Sequence, residues 1–271
     1  MAMTAAHQKN LGDHAIGKIS WTMPAGVHLA LFNASPGENG SLVSEFSGGS
    51  YARQALTAAM GACDAVTGIA TNTSALTFPA NTAAHGLNLF GAIMDSATLG
   101  AGNMLFYAPW ANPVIINNGD PAIVIPVGAI TVQIAGTTLA MISSFLMKKL
   151  VDKSLAKADW ASPSVFHGLL ASNPTVAGTI SSEVGVGGYA RQPLTAAMGA
   201  FDSSSGIATN ATAVAYPDPT ADYPDVNYSF VSDAISGGNL LFSNQLPSAL
   251  QIRNGGAPAL FDTGSINLTF A

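Results

Sequence analysis

Five pairs of side chains with the reach to do chemistry occupy matched places in this 271-residue chain: Glu45 and Glu183, Arg53 and Arg191, Asp64 and Asp202, Asp95 and Asp233, His28 and His167. Nucleophilic catalysis needs a nucleophile, a base and an acid that converge, and none of these residues stands at a spacing that marks such a set. The sequence holds no Gly-x-Ser-x-Gly elbow, no His-Glu-x-x-His helix and no phosphate-cradling Gly-x-x-x-x-Gly-Lys loop. Asp218, Asp222 and Asp225 could meet around Ca²⁺, but the corresponding positions earlier in the chain are Ala80, Ala84 and Leu87. His28 and His167 lie in apolar runs with no second histidine at ligand spacing and read as core or interface histidines. The lone Cys63 is matched by Phe201 and reads as a small buried hydrophobe. No catalytic, cofactor-binding or metal residue is therefore expected. What remains is structural: Arg53 pairing with Glu45 or stacking on Tyr51, and Arg191 likewise with Glu183 and Tyr189, to pin a strand edge.

These residues are matched because the chain is a tandem duplication. Tyr51-Ala-Arg-Gln-Ala-Leu-Thr-Ala-Ala-Met-Gly-Ala62 returns as Tyr189-Ala-Arg-Gln-Pro-Leu-Thr-Ala-Ala-Met-Gly-Ala200, and Gly68-Ile-Ala-Thr-Asn72 returns as Gly206-Ile-Ala-Thr-Asn210. Leu11, Asp13, Lys18, Trp21, Pro24 and His28 align with Leu150, Asp152, Lys157, Trp160, Pro163 and His167. The period is far longer than the roughly 20 to 50 residues of a solenoid unit, so each copy should carry its own core. The expected division is a first β repeat with its N-terminal helix over 1–136, a linking helix over 137–159 and a second β repeat over 160–271.

Composition bounds the class. With 48% hydrophobic residues and a mean hydropathy of +0.34 the chain folds, and its 9% of charged residues is far below the usual figure of about 25%. A surface so poor in charge is expected to be covered by further copies of the chain or by a larger assembly. The net charge of −6 gives no basic footprint for nucleic acid. An uncharged stretch over 121–147 has the length of a membrane span, but its counterpart in the second copy carries Asp262 and alternates like a half-buried strand, so no membrane span or signal peptide is expected.

The coarse pattern of each copy is a short helix (8–19 and 148–158, stopped by Pro24 and Pro163) and then a strand (27–32 and 166–170). A second strand is expected to begin near Ser50 and Gly188, followed by strands over 75–78, 89–94, 103–108 and 123–134 with counterparts in the second copy. Leu139, Ile142, Leu146, Leu150 and Leu155 recur at three- and four-residue steps and predict the amphipathic linking helix. Gly100-Ala-Gly102 and Gly237-Gly238 read as hairpin turns. The expected fold is mainly β: two similar β-sandwich or barrel-like domains in tandem, each preceded by a short helix.

The order of elements resembles a known family. A short helix, Ser35-Pro-Gly-Glu-Asn-Gly-Ser41, Gly48-Gly-Ser-Tyr-Ala-Arg53, Leu76-Thr-Phe-Pro79, Gly238-Asn-Leu-Leu-Phe242 and the closing Gly-Asp-Pro strand over 119–134 are similar to small virion proteins of tailed bacteriophages. Members are labelled tail fibre or minor structural proteins, and this chain resembles two fused copies. The resemblance implies a non-enzymatic role in the virion, assembled in the bacterial cytoplasm, as a capsid decoration, a neck or collar attachment, or a tail appendage. Expected partners are other copies of the chain, a trimer being one arrangement, and capsid, neck or tail proteins, with no nucleic acid, membrane or cofactor. The residues expected to carry packing or contact are Glu45, Tyr51, Arg53, Glu183, Tyr189, Arg191, Leu139, Ile142 and Leu146. The competing expectation is a carbohydrate-binding module for host-surface glycans, using Tyr107, Trp110, Tyr216, Tyr223 and Tyr228.

Overall fold

The computed structural model describes residues 1–134 and 140–269. The first repeat runs β1 (Ala2–Met3), α1 (Ala5–Ala15), β2 (His28–Phe32), β3 (Gln54–Ala55), β4 (Ile69–Thr71), β5 (Leu76–Thr77), β6 (Gly86–Met94), β7 (Met104–Ile116), β8 (Val124–Ile125) and β9 (Thr131–Gln133). The second repeats it: β10 (Ala140–Ile142), α2 (Ser144–Ser154), β11 (Phe166–Leu170), β12 (Gln192–Pro193), β13 (Ile207–Thr209), β14 (Val214–Ala215), β15 (Val226–Ser232), β16 (Leu240–Leu250), β17 (Leu260–Phe261) and β18 (Asn267–Thr269). The molecule is mainly β, in two similar sheet-rich halves. Each half has one five-stranded antiparallel sheet, in the order β1-β7-β6-β2-β3 and β10-β16-β15-β11-β12, and two short ladders, β4-β9 with β5-β8 and β13-β18 with β14-β17.

The middle strands are apolar on both faces, because both faces are covered. Along β2, Leu29 and Leu31 enter the main core while Ala30 and Phe32 turn to a second cluster with Ala92, Met94 and Met104. The β11 strand repeats this with Leu169 against the main core and Leu170 against Phe230 and Leu240. Strict alternation is lost for that reason. The main core is continuous through both repeats and includes Leu11, Ile16, Leu146, Leu150 and Leu155 from the helical segments.

The helices begin earlier than the periodicity suggests. Thr4 caps α1 by accepting from the His7 N–H, and its hydroxyl donates to the Met104 carbonyl at 2.6 Å. Ser143 does the same for α2, accepting from Leu146 N–H and donating to the Leu240 carbonyl at 2.5 Å. Such caps satisfy the free N–H groups of a first turn. The helices end well before Pro24 and Pro163, where Gly17 and Ala156 take φ of 75° and 56° and the Asp13 and Asp152 carbonyls accept from Lys18 and Lys157 N–H at 2.8 Å. The expected linking helix over 137–159 is instead β10 followed by α2, the counterparts of β1 and α1: Ile142 pairs with Phe242 in the sheet, Leu146 is in the helix, and Leu139 lies outside the described residues.

The Tyr-Ala-Arg box is likewise not a strand. Gly48 and Gly49, and Gly187 and Gly188, all have positive φ, and the chain regains sheet pairing only at Gln54 and Gln192. The strand expected over 123–134 is cut into β8 and β9 by a turn at Pro126 to Gly128. The buried Asn72 side chain holds that turn, donating to the Pro126 carbonyl at 2.8 Å and accepting from Ile130 N–H at 2.8 Å. Asn210 makes the same pair of bonds with Asp262 and Ile266. This explains why Gly-Ile-Ala-Thr-Asn is written twice.

The second strand of each sheet, β7 or β16, is bulged. Between the Phe90–Pro109 and Asn88–Val114 pairs, residues 110–113 sit opposite Leu89 alone, and between the Tyr228–Gln245 and Val226–Leu250 pairs residues 246–249 sit opposite Asn227.

Candidate functional site

Three features could bear on function: a buried ion pair in each repeat, a set of contacts between the repeats, and an apolar surface on the first. Arg53 faces Glu45 as a fork, Nε to Oε1 at 2.6 Å and Nη2 to Oε2 at 2.7 Å. Its Nη1 donates to the Ser96 and Ala101 carbonyls, both at 2.8 Å, so one guanidinium ties the segment after β2 to the β6–β7 hairpin. Arg191 makes the same fork with Glu183 at 2.7 and 2.6 Å and reaches the Ala234 and Gly237 carbonyls at 2.7 Å. The Phe230 ring lies beneath it at 5.0 Å. Both guanidiniums are buried, and every guanidinium nitrogen donates to a group that fixes a loop. A planar five-donor group can do this where an ammonium cannot.

The tyrosines of the box complete the anchor. The Tyr51 hydroxyl accepts from Leu31 N–H at 2.9 Å and the Tyr189 hydroxyl from Leu169 N–H at 3.0 Å, and burial pushes both phenols well above the usual range. His167 is buried with Nδ1 2.9 Å from the Tyr216 hydroxyl, and burial holds it down at about 3. Asp95 and Asp233 accept from Asn103 and Asn239 N–H at 2.6 Å and shape the hairpins. Asp64 and Asp202 cap the turns that follow them. Among the described residues no group of three His, Cys, Asp or Glu could hold a metal ion. Cys63 is buried, and burial, with Asp152 nearby, pushes its thiol up to about 11. The shared polar residues therefore act on the chain itself.

The contacts between repeats were not foreseen as a set, although Asp13 and Asp152 align. The buried Asp13 carboxylate on α1 accepts from Phe201 N–H of the second repeat at 2.6 Å, while Lys9 bridges Asp13 and the Phe201 carbonyl at 2.6 and 2.8 Å. Reciprocally, Asp152 on α2 accepts from Cys63 N–H of the first repeat at 2.7 Å, and Lys148 bridges Asp152 and the Cys63 carbonyl at 2.7 and 2.8 Å. Lys18 and Lys157 reach the Ala196 and Thr57 carbonyls in the same crossed sense. Contacts in which residue i meets j while the copy of i meets the copy of j are isologous, so the repeats are related as the subunits of a twofold dimer. The signal in the sequence was an acid with a lysine four residues before it, retained on both helices.

The third feature belongs to one repeat. A groove of about 530 Å³ lies between the Trp110 bulge and the β8–β9 turn, lined by Trp110, Pro109, Val114, Ile123, Val124 and Ile130. Trp110 lies so close over Gly91 that a Cβ there would stand 2.5 Å from its ring, and its indole N–H donates to Asn88 at 3.1 Å. Val114 and Val124 of the groove's lining are 47% and 55% exposed, and Ile115 and Val127, on β7 and on the β8–β9 turn, are 65% and 62% exposed. In the second repeat Ile115 and Val127 become Gln251 and Thr263, and Trp110 becomes Leu246. Of the five aromatics expected to face glycans, Tyr216 and Tyr223 are core residues, 4% and 3% exposed.

A search of curated proteins returned no match. A family model described as podophage GP4 fiber I protein gp80 matches twice, over residues 2–133 and over 141–269, once for each half of the molecule. The second match begins ahead of α2, so each family unit takes in the strand and helix that open its repeat. The chain thus belongs to the podophage GP4 fiber I protein gp80 family, and is a phage virion structural protein that carries the family's unit twice.

Proposed function

We propose that this chain is a non-enzymatic subunit of the virion that associates with further copies of itself and attaches to capsid, neck or tail proteins through the apolar surface of its first repeat. The observation that carries this reading is the exposure of Val114 and Val124 in the lining of the Trp110 groove and of Ile115 and Val127 on the same strand and turn, with no charged side chain in that lining. Exposed apolar surface beside a groove of this kind marks contact sites. The second repeat keeps the scaffold while placing Gln251 and Thr263 where the first has Ile115 and Val127, so the scaffold itself does not require apolar residues there. That the shared Arg, Asp and Tyr side chains are engaged by the chain's own backbone, and the shared Glu side chains by those arginines, supports a non-enzymatic role.

The test pairs Ile115→Asp with Val127→Asp, at positions where charge meets water. The expected result is an unchanged melting temperature, a smaller mass by light scattering and weaker incorporation into virions that otherwise lack the protein. A parent that is monomeric at micromolar concentration, or a variant incorporated as well as the parent, overturns the proposal.

A further inference from the structure

The crossed contacts between repeats are equal in kind but not in size. Gly12 on α1 faces Phe201 so closely that a Cβ on it would lie 2.4 Å from the ring, a distance real Cβ atoms do not show. Phe201 is 1% exposed and has no room to turn aside. The positions related to these by the internal twofold are Val151 on α2 and Cys63 in the first repeat, fixed by the flanking Leu11–Leu150 and Asp13–Asp152 matches and by the Asp152 bond to Cys63 N–H. A helix position without a side chain thus meets the large ring, and by the internal twofold the position carrying a branched side chain is the one matched to the small thiol.

We infer that the Gly12–Phe201 and Val151–Cys63 matches set which repeats can pair, so that a first repeat accepts a second repeat, from its own chain or another copy, while two second repeats reject each other. Pairing two second repeats would bring Val151 against Phe201, where even a Cβ does not fit. Pairing two first repeats would bring Gly12 against Cys63 and leave a void where the ring now packs. Overfilling strains a close-packed contact and a void loses dispersion contacts, so both like pairings are penalised. Specificity of this kind comes from the excluded partner as much as from the accepted one.

The test is a cycle in the full chain. Gly12→Val should lower the melting temperature by about 5 °C or more although valine suits a helix better than glycine, Phe201→Cys should lower it comparably, and the double variant should recover most of the loss. Recovery distinguishes size matching from two unrelated defects. In a second arm, a protease site within 135–139 is cut in the folded protein, and native mass spectrometry counts the pairs after mild dissociation and reassociation. The cut parent should give only mixed pairs, and the cut double variant should also give pairs of second repeats. A tolerated Gly12→Val, additive losses in the double variant, or pairs of second repeats from the parent would each overturn the inference.

Discussion

Replacing Asp13 by alanine removes the one side chain of α1 that both receives a backbone N–H from the other repeat and holds a lysine in place. The substitution takes away the carboxylate to which the buried Phe201 N–H donates, a loss of about 1–3 kcal/mol. Lys9 is one-third exposed, so its lost pairing adds no more than about 0.5 kcal/mol after solvent screening. The sum is about 1–3.5 kcal/mol, a large part of the roughly 5–15 kcal/mol that stabilises a domain. Asp152→Ala should cost about as much, because Asp152 makes the same bonds to Cys63. The two losses should not add, since after the first the repeats are no longer held in register and the second carboxylate has less to lose. Urea unfolding followed by tryptophan fluorescence measures this, with Trp21 and Trp160 close to the crossed helices through their contacts with His7 and His14. The expected outcome is a lower midpoint for each single variant and a double variant short of the sum. As a control, Asp225→Ala removes an exposed carboxylate 3.8 Å from Arg253 and should leave the midpoint unchanged. A shift below about 0.5 kcal/mol for Asp13→Ala would refute the reasoning, because a buried N–H cannot lose its acceptor so cheaply.

Two further outcomes follow from the buried polar groups. Arg53→Lys should destabilise by about 2–4 kcal/mol in thermal melts, since a single ammonium cannot meet Glu45 and the Ser96 and Ala101 carbonyls together, and a near-neutral result would contradict the anchoring role. Acid should weaken the fold through His7 and His167, both held by burial at about 3 against an ordinary 6.5. Folding favours their neutral forms, so this stability is complete above pH 6.5 and declines as pH falls toward 3, by about 2 kcal/mol for each histidine at pH 5. Urea midpoints at pH 7.5 and pH 5 check this, and a His167→Gln variant should lose part of the dependence.

Much of the fold was legible because the repeat compares the chain with itself. The two units, the β class, the hairpins at Gly102 and Gly238 and the apolar first strands all follow from local pattern. The helix starts were misplaced because Thr4 and Ser143 are single residues whose capping role depends on carbonyls of Met104 and Leu240, about 100 residues away. The Tyr-Ala-Arg box looked like a strand because tyrosine and alternation suit strands, yet its side chains are anchors and its backbone is not paired. Asp13 and Lys18 were visible as matched to Asp152 and Lys157, but their partners could not be read: Asp13 and Phe201 are 188 positions apart, and nothing local says that a helix docks on the other repeat.

The bulges of β7 and β16 bear on how one chain can meet another. An unpaired sheet edge is a template on which an identical chain can add itself without limit. Here β1 covers β7 only at Phe106 and Tyr107, which would leave the rest of the strand open. Beyond that point residues 110–113 bow out opposite one residue, and Pro109 and Pro113 offer no N–H to a newcomer. A bulge and prolines on an outer strand break the ladder a neighbour would need. A chain built this way can touch a neighbour through side chains without zipping into a continuous sheet.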